Sequence, residues 1–334
     1  MERTGFTYDF PRDSLLSVGD LNPLDVQMIF ERARHHFDAA RHNEENTRTL
    51  AGLTQIHLFF ENSTRTQASF EIAARRLGAD VVNFIPGNAS ISKGESLNDT
   101  ALTLAAMRSD ILVVRHRAAG AAAHFARVTG VPTINAGDGA HEHPTQALLD
   151  AFTLARRWGG IGGKRILIVG DILHSRVARS NISLLNLLHA DVRLCGPATL
   201  LPADADRWGV SVFHDIDEAL EGCDAVMALR IQKERMTGKL TPSDREFATL
   251  WGLTHQRLER AAQDCLIMHP GPINRGVEID EALADDLDRT VILEQVESGV
   301  AVRSAILELV TGRAPNQSIA DMRTHDVDDR RDEA

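Results

Sequence analysis

Short apolar runs recur along this chain, separated by stretches in which apolar residues return every three or four positions. "IHLFF" (56–60), "DVVNFI" (80–85), "DILVVR" (110–115) and "PTINA" (132–136) are rich in β-branched and aromatic residues and predict strands. Between them, Phe70, Ala73, Ala74 and Leu77 fall on one helical face, as do Leu97, Ala101, Leu104 and Ala105. A second series of strands follows: "RILIVG" (165–170), "DVRLCG" (191–196), "DAVMALR" (224–230), "CLIMHP" (265–270) and "TVILEQ" (290–295). Strand–helix alternation predicts parallel sheets covered on both faces. Two such series predict an α/β protein of two doubly wound parallel-sheet domains. The joint falls near "TQALLDAFTLARRWGGIGGK", where Leu148, Ala151, Phe152 and Ala155 form a helix that the glycine cluster ends. "RSAILELV" (303–310) is the last helix. The expected first domain is 1–147 plus 297–312 and the second is 148–296. Residues 313–334 form a polar tail, expected to be disordered.

Length and charge narrow the function. With 334 residues, two domains are the ordinary expectation. A net charge of -11 argues against a general nucleic-acid binder, which needs a basic surface. No apolar run approaches the ~18 residues of a membrane span, and the first residues lack the apolar core of a signal peptide. The three cysteines, Cys195, Cys223 and Cys265, lie far apart, so neither a disulfide framework nor a zinc ribbon is expected. A reducing cytoplasm fits this usage best.

Each apolar strand runs at once into a polar cluster: Glu61 to Thr66, Arg115 to Arg117, "GDGAHEHPTQ", "DILHSRVARS", "RIQKER" and "HPGPINR". Ligands of open parallel sheets bind just beyond the carboxyl ends of the strands. These clusters are therefore expected to face a common cleft between the domains. They hold Arg65, Arg115, Arg117, Arg176, Arg179, Arg230, Lys233 and Arg235 within an acidic chain, which suggests an anionic ligand with several charges. "FFENSTRTQASFE" (59–71) carries this furthest. A helix start presents unpaired N–H groups and partial positive charge, and Ser63, Thr64, Arg65 and Thr66 add donors there. Standing alone, such a Ser-Thr pair would be a plain N-cap. The strand before it and the arginine within it make it a phosphate cradle.

Other motifs fall short. "GGIGGKR" (159–165) has three residues between Gly159 and Gly163 where a Walker loop has four, and it precedes a strand. The glycine after "ILIV" does not begin Gly-x-Gly-x-x-Gly, so no nicotinamide cofactor is expected. His141 and His143 could hold a metal, but no matching acidic or cysteine set accompanies them, and no cofactor is expected. There is no Gly-x-Ser-x-Gly elbow.

Taken in order, "FFENSTRTQASFE", "SKGE" (92–95), "VVRHR", "NAGDGAHEHPTQALLD", "RIQKER" and "HPGPINRGVEI" resemble the catalytic chains of the aspartate carbamoyltransferase family. The resemblance runs from about Leu53 to Leu309. It implies transfer of the carbamoyl group of carbamoyl phosphate to the amine of L-aspartate, giving N-carbamoyl-L-aspartate and phosphate, in pyrimidine synthesis. It also implies a homotrimer whose active sites lie between the domains and at a subunit interface. Ser63, Thr64, Arg65 and Thr66 look like the family's phosphate loop. Arg115 looks like the arginine shared by phosphate and carbonyl oxygen, His143 like the histidine at that oxygen, and Gln146 like the glutamine near the carbamoyl amine. Arg176, Arg230 and Gln232 look like the binders of the aspartate carboxylates. Gly271 and Pro272 match a loop whose backbone carbonyls contact substrate. Ser90, with Ser92 as the alternative, and Lys93 resemble a loop lent by the neighbouring subunit, Lys93 reaching both substrates. Gln67 stands where many members have Arg, and Gly271 where some have Leu.

The implied chemistry is self-consistent. A neutral amine attacks the carbamoyl carbon, and Thr66, Arg115 and His143 would stabilise the charge growing on the carbonyl oxygen, each donor being worth ~3–4 kcal/mol. No protein nucleophile is required. Two alternatives stand beside this reading. Ornithine carbamoyltransferase shares the phosphate loop and "HPTQ" but needs an acidic side chain for ornithine, where this chain has "HPGP" and the cationic "RIQKER". A non-catalytic sensor of phosphate metabolites would have no need of the set Thr66, Arg115, His143 and Gln146. A regulatory chain or a dihydroorotase partner is compatible with the resemblance.

Overall fold

The computed structural model describes residues 9–44, 47–84, 96–232 and 242–315. Ser90, Ser92, Lys93, Lys233 and Arg235 lie outside the described residues, as does the tail beyond 315.

The chain opens with α1 (Pro23–Arg41), which the strand pattern gave no reason to expect. Its start is locally encoded. Asn22 caps the Leu24 and Asp25 N–H groups, Pro23 occupies the first turn, and Asp25 returns a bond to the Asn22 N–H. The first sheet follows: β1 (Thr54–Phe59), α2 (Thr64–Arg76), β2 (Asp80–Phe84), α3 (Leu97–Ala106), β3 (Ile111–His116), α4 (Ala121–Thr129), β4 (Thr133–Asp138) and α5 (Pro144–Trp158). The second unit contains β5 (Arg165–Val169), α6 (Arg176–Leu187), β6 (Asp191–Cys195), β7 (Ser211–Phe213), α7 (Ile216–Ala219), β8 (Ala225–Ala228), α8 (Asp244–Trp251), α9 (His255–Leu258), β9 (Leu266–Met268) and α10 (Glu281–Ala284). α11 (Ile292–Val310) closes the described chain.

All strand pairs are parallel, in the orders β2-β1-β3-β4 and β7-β6-β5-β8-β9. The alternation of side chains explains the two-sided cover. Ile111 and Val113 of β3 join the core packed by α1, α2, α5 and α11, while Leu112 and Val114 join the core under α3 and α4. In β5, Ile166 and Ile168 face the first of these cores, and Leu167 and Val169 face a separate core with α7, α9 and α10. One core thus runs continuously from the first sheet through α5 and α11 to the second sheet. The free cysteines are all buried in the second unit, and burial pushes their thiols up to about 12, 11 and 12 at Cys195, Cys223 and Cys265.

One expected strand is not there. "TVILEQ" supplies a single bridge, Thr290 to Ile267, and from Ile292 the backbone is already α11. A short apolar run does not by itself distinguish a buried strand from a buried helix. Ser298-Gly299 follows it as a local turn signal that packing overrides, and Val302, Ala305, Ile306 and Leu309 continue it at helical spacing against α1, α2 and α5. β7 is the converse case: three residues were too few to register as a strand.

α1 and α11 are clamped by a buried ionic cluster. Arg32 of α1 donates to both oxygens of Glu308 of α11, His36 meets Oε2 at 2.8 Å, and Thr49 donates to Oε1 at 2.7 Å. Burial by itself would raise the Glu308 carboxyl, but hydrogen bonds from His36, Arg32 and Thr49 outweigh it and hold the carboxyl at about 2. Glu308→Ala leaves the Arg32 guanidinium buried without its acceptor and should cost about 3–5 kcal/mol in urea unfolding at neutral pH. The native carboxyl lies below its ordinary value of 4.5, so its contribution is complete above that pH and fades as pH falls toward 2. A loss under about 1 kcal/mol at neutral pH would show that the cluster is energetically idle.

Candidate active site

The strand orders set where a ligand can sit. In the first sheet the chain winds outward from β1 to β2 and then reverses to β3 on the other side of β1. In the second it winds from β5 through β6 to β7 and reverses to β8. Both reversals leave a crevice at the carboxyl ends of the flanking strands. Both crevices open onto one cavity of about 230 Å³.

From the first sheet, the segment after β1 brings Ser63, Arg65 and Thr66 to the cavity, and Arg115 stands next to last in β3. Ser63 begins α2 without a side-chain bond to its backbone; its hydroxyl donates to Thr66 Oγ1 at 3.0 Å. Thr64 is exposed and stands outside the cavity lining. Arg115 Nη1 donates to the Ala136 carbonyl at 2.9 Å, which aims the guanidinium across the end of β4. The segment after β4 delivers His143 and Gln146 at the start of α5. The His143 N–H donates to Ser180 Oγ at 2.8 Å, and that hydroxyl donates to buried Glu142 at 2.6 Å. His141 turns the other way: it is exposed and pairs with Asp138.

From the second sheet, Arg176 opens α6 directly after the Ser175 cap, and Arg230 and Gln232 follow β8. The Gln232 N–H donates to Asp171 Oδ2 at 3.1 Å, which ties the end of β8 to the turn after β5. Gly271 and Pro272 follow β9, held by His269: its Nδ1 accepts the Gly271 N–H at 2.8 Å, so its proton is on Nε2, facing Glu278 at 3.1 Å. Arg179 does not reach the cavity; its guanidinium lies over the Trp208 ring.

Five guanidiniums line this one space, those of Arg65, Arg115, Arg176, Arg230 and Arg303, and among its described lining residues there is no carboxylate and no lysine. The two sides act on each other. Burial, and then repulsion from Arg230, lower the Arg65 guanidinium from its ordinary value. Glu61, just outside the lining, accepts from Arg176 Nη2 at 2.7 Å and lies 3.8 Å from Arg115 Nε. It links a cation of each sheet. An anion entering here is met by opposed cations that already destabilise one another.

Two glycines make this crowding possible. A Cβ on Gly137 (φ 119°) would lie 3.0 Å from Arg115 Nη1 and 3.1 Å from Arg176 Cζ. A Cβ on Gly271 (φ 70°) would lie 3.0 Å from Arg65 Cζ. Sequence reasoning missed Glu61, Gly137, Ser69, Ser175, His269, Gln295 and Arg303. Glu61 stood within a segment already singled out. Gln295 and Arg303 sit in an apolar run, and the only local signal was a polar side chain on its buried side.

The chain matches two family models that together span nearly all of it. Residues 13–156 match the aspartate/ornithine carbamoyltransferase carbamoyl-P binding domain, and residues 162–310 match the Asp/Orn binding domain. This chain belongs to the aspartate/ornithine carbamoyltransferase family. It is 67% identical over 310 residues to the aspartate carbamoyltransferase catalytic subunit of Maricaulis maris, covering 93% of this chain and 97% of that one. Among solved structures, the aspartate transcarbamoylase of Trypanosoma cruzi in complex with carbamoyl aspartate and phosphate superposes with a TM-score of 0.80 at 33% identity, covering 88% of this chain and 94% of that one. The ornithine carbamoyltransferase of Pyrococcus furiosus superposes with a TM-score of 0.83 at 25% identity, covering 93% and 100%. The two branches of the carbamoyltransferase family thus share this backbone, and what separates them must be read from side chains.

Proposed function

We propose that the cavity binds carbamoyl phosphate and L-aspartate together and that the chain transfers the carbamoyl group to the aspartate amine, releasing phosphate and N-carbamoyl-L-aspartate for pyrimidine synthesis. The observation that carries the choice of aspartate is the cationic lining. Arg176 and Arg230 suit a dicarboxylate, and the described lining offers no carboxylate for the side-chain ammonium of ornithine. In this reading carbamoyl phosphate occupies the first domain (1–147 with 297–312), held by Ser63, Arg65 and Thr66 of the lining with Thr64 beside them in the first turn of α2, and aspartate occupies the second (148–296), held by Arg176, Arg230 and Gln232.

The steps follow from the chemistry. The uncharged amine attacks the carbamoyl carbon, and the carbonyl oxygen takes up negative charge. Thr66, Arg115 and His143 stabilise that oxygen as fixed donors. The tetrahedral centre collapses with loss of phosphate, and the departing phosphate oxygen takes the amine proton, so no side-chain nucleophile is needed. Gln146 and the backbone carbonyls of Gly271 and Pro272 accept from the carbamoyl and amine N–H groups. The remaining rate advantage comes from holding two mutually repelling anions in line. In the same reading Ser90 and Lys93 act on the cavity of a neighbouring subunit, in a homotrimer. No helix among the described residues is long and apolar enough to cross a membrane, which accords with a cytoplasmic enzyme.

A direct assay decides the substrate. Supplied with carbamoyl phosphate and either amino acid, the protein should form N-carbamoyl-aspartate from aspartate and no citrulline from ornithine. Citrulline as the main product, or no product from either, overturns the reading.

A further inference from the structure

Asp150 lies one turn beyond Gln146 on α5 and is fully buried. It has no part in the steps above, yet three amide side chains from three helices converge on it. Gln146 Nε2 of α5 donates to Oδ1 at 2.9 Å, Gln295 Nε2 of α11 donates to the same oxygen at 2.7 Å, and Asn181 Nδ2 of α6 donates to Oδ2 at 2.9 Å. Burying a carboxylate is costly unless it is heavily hydrogen-bonded and offset by a cation. Burial does push this carboxyl up to about 6, against the pull of the three amides and of Arg303. Arg303 is itself buried at the cavity wall and donates to Ser69 at 2.8 Å.

The consequence is one of polarity. An amide side chain has a donating end and an accepting end of nearly the same size, and packing alone hardly tells them apart. An ionised carboxylate can only accept. Each of the three amides must therefore give Asp150 its NH2 and turn its oxygen away. For Gln295 that oxygen accepts the His269 N–H at 3.0 Å, at the root of the Gly271–Pro272 segment. For Gln146, which lines the cavity, the oxygen is left for the ligand. The five guanidiniums and the hydroxyls of Ser63, Thr66, Ser69 and Ser175 in the lining seek acceptors, and the carbamoyl NH2 is the one group of carbamoyl phosphate that must donate.

We propose that Asp150 is a positioning residue that fixes Gln146 with its oxygen toward the cavity and anchors the Gly271–Pro272 segment through Gln295, so that the site selects an acyl phosphate whose acyl group bears an NH2. This rests on the function proposed above.

Acetyl phosphate is the discriminating probe, since it replaces the NH2 by CH3 at nearly the same size. On the full chain one measures KM for carbamoyl phosphate, and Ki for acetyl phosphate and for inorganic phosphate as competitors. The wild type should prefer the carbamoyl compound; absence of carbamoyl transfer in the wild type would refute the function itself, before any variant is made. Asp150→Asn brings a fourth NH2 into a pocket that needs acceptors, and it should turn or displace Gln146. KM for carbamoyl phosphate should rise about tenfold or more, the scale of an unmet hydrogen bond, while both Ki values move less than about threefold. Gln146→Leu should show the same selective loss, and the double variant should add little to it. If Asp150→Asn does not fold, Asp150→Ser, which removes the charge in a smaller side chain, is read in the same way. Equal weakening of all three ligands would reduce Asp150 to a purely structural role, and an unchanged preference for the NH2 compound would refute the proposal.

Discussion

Arg115→Ala should lower kcat by about 10²–10³-fold with both substrates saturating, the range measured for losing one preorganised oxyanion donor. The reason lies in how this arginine is held. Nη1 is tied to the Ala136 carbonyl, Nε lies 3.8 Å from Glu61, and Gly137 removes the side chain that would otherwise displace it. The guanidinium is thus oriented before substrate arrives, and reorganisation is avoided when charge appears on the carbonyl oxygen. Arg115→Lys keeps the charge but lacks the planar fork, and it should recover only a small part of the loss. Steady-state kinetics beside a thermal melt check this. A kcat within about tenfold of wild type, with the fold intact, would remove Arg115 from the chemical step.

Arg230→Ala should act on the other substrate. Arg230 follows β8 in the second unit, across the cavity from Arg65, and its charge is felt there as repulsion. Truncating one member of a desolvated charge pair costs about 2 kcal/mol or more, so KM for aspartate should rise by about 30-fold or beyond. Carbamoyl phosphate affinity, measured by calorimetry without aspartate, should stay within about threefold. Removing Arg230 takes away a distant cation but also relieves Arg65. Equal loss of both ligands in a folded variant would show that the substrates are not divided between the two sheets in this way.

Most of the strands could be placed from sequence because parallel strands buried on both faces must be continuously apolar, and the polar cluster after each one marks its carboxyl end. The failure at "TVILEQ" has the same root. A buried helix start has the same composition as a buried strand, and only packing against α1, α2 and α5 decided between them. The anion cradle, Arg115, His143, Gln146, Arg176 and Arg230 were legible because each sits directly beyond a strand in a recognisable motif, and the cavity lining contains all of them except Thr64 of the cradle.

What the chain could not declare locally are relations between distant residues. Glu61 meets Arg176 across 115 positions, Gln295 meets Asp150 across 145, and Arg303 meets Ser69 across 234. The sequence determines the pattern of apolar strands, the helix starts and the residue types at the strand ends, since these follow from local periodicity and capping. Which cations oppose one another, which amide end faces the ligand, and where a glycine must stand so that two arginines can pass are set by the approach of separate elements. Those contacts exist only once a single continuous core has brought the two sheets together.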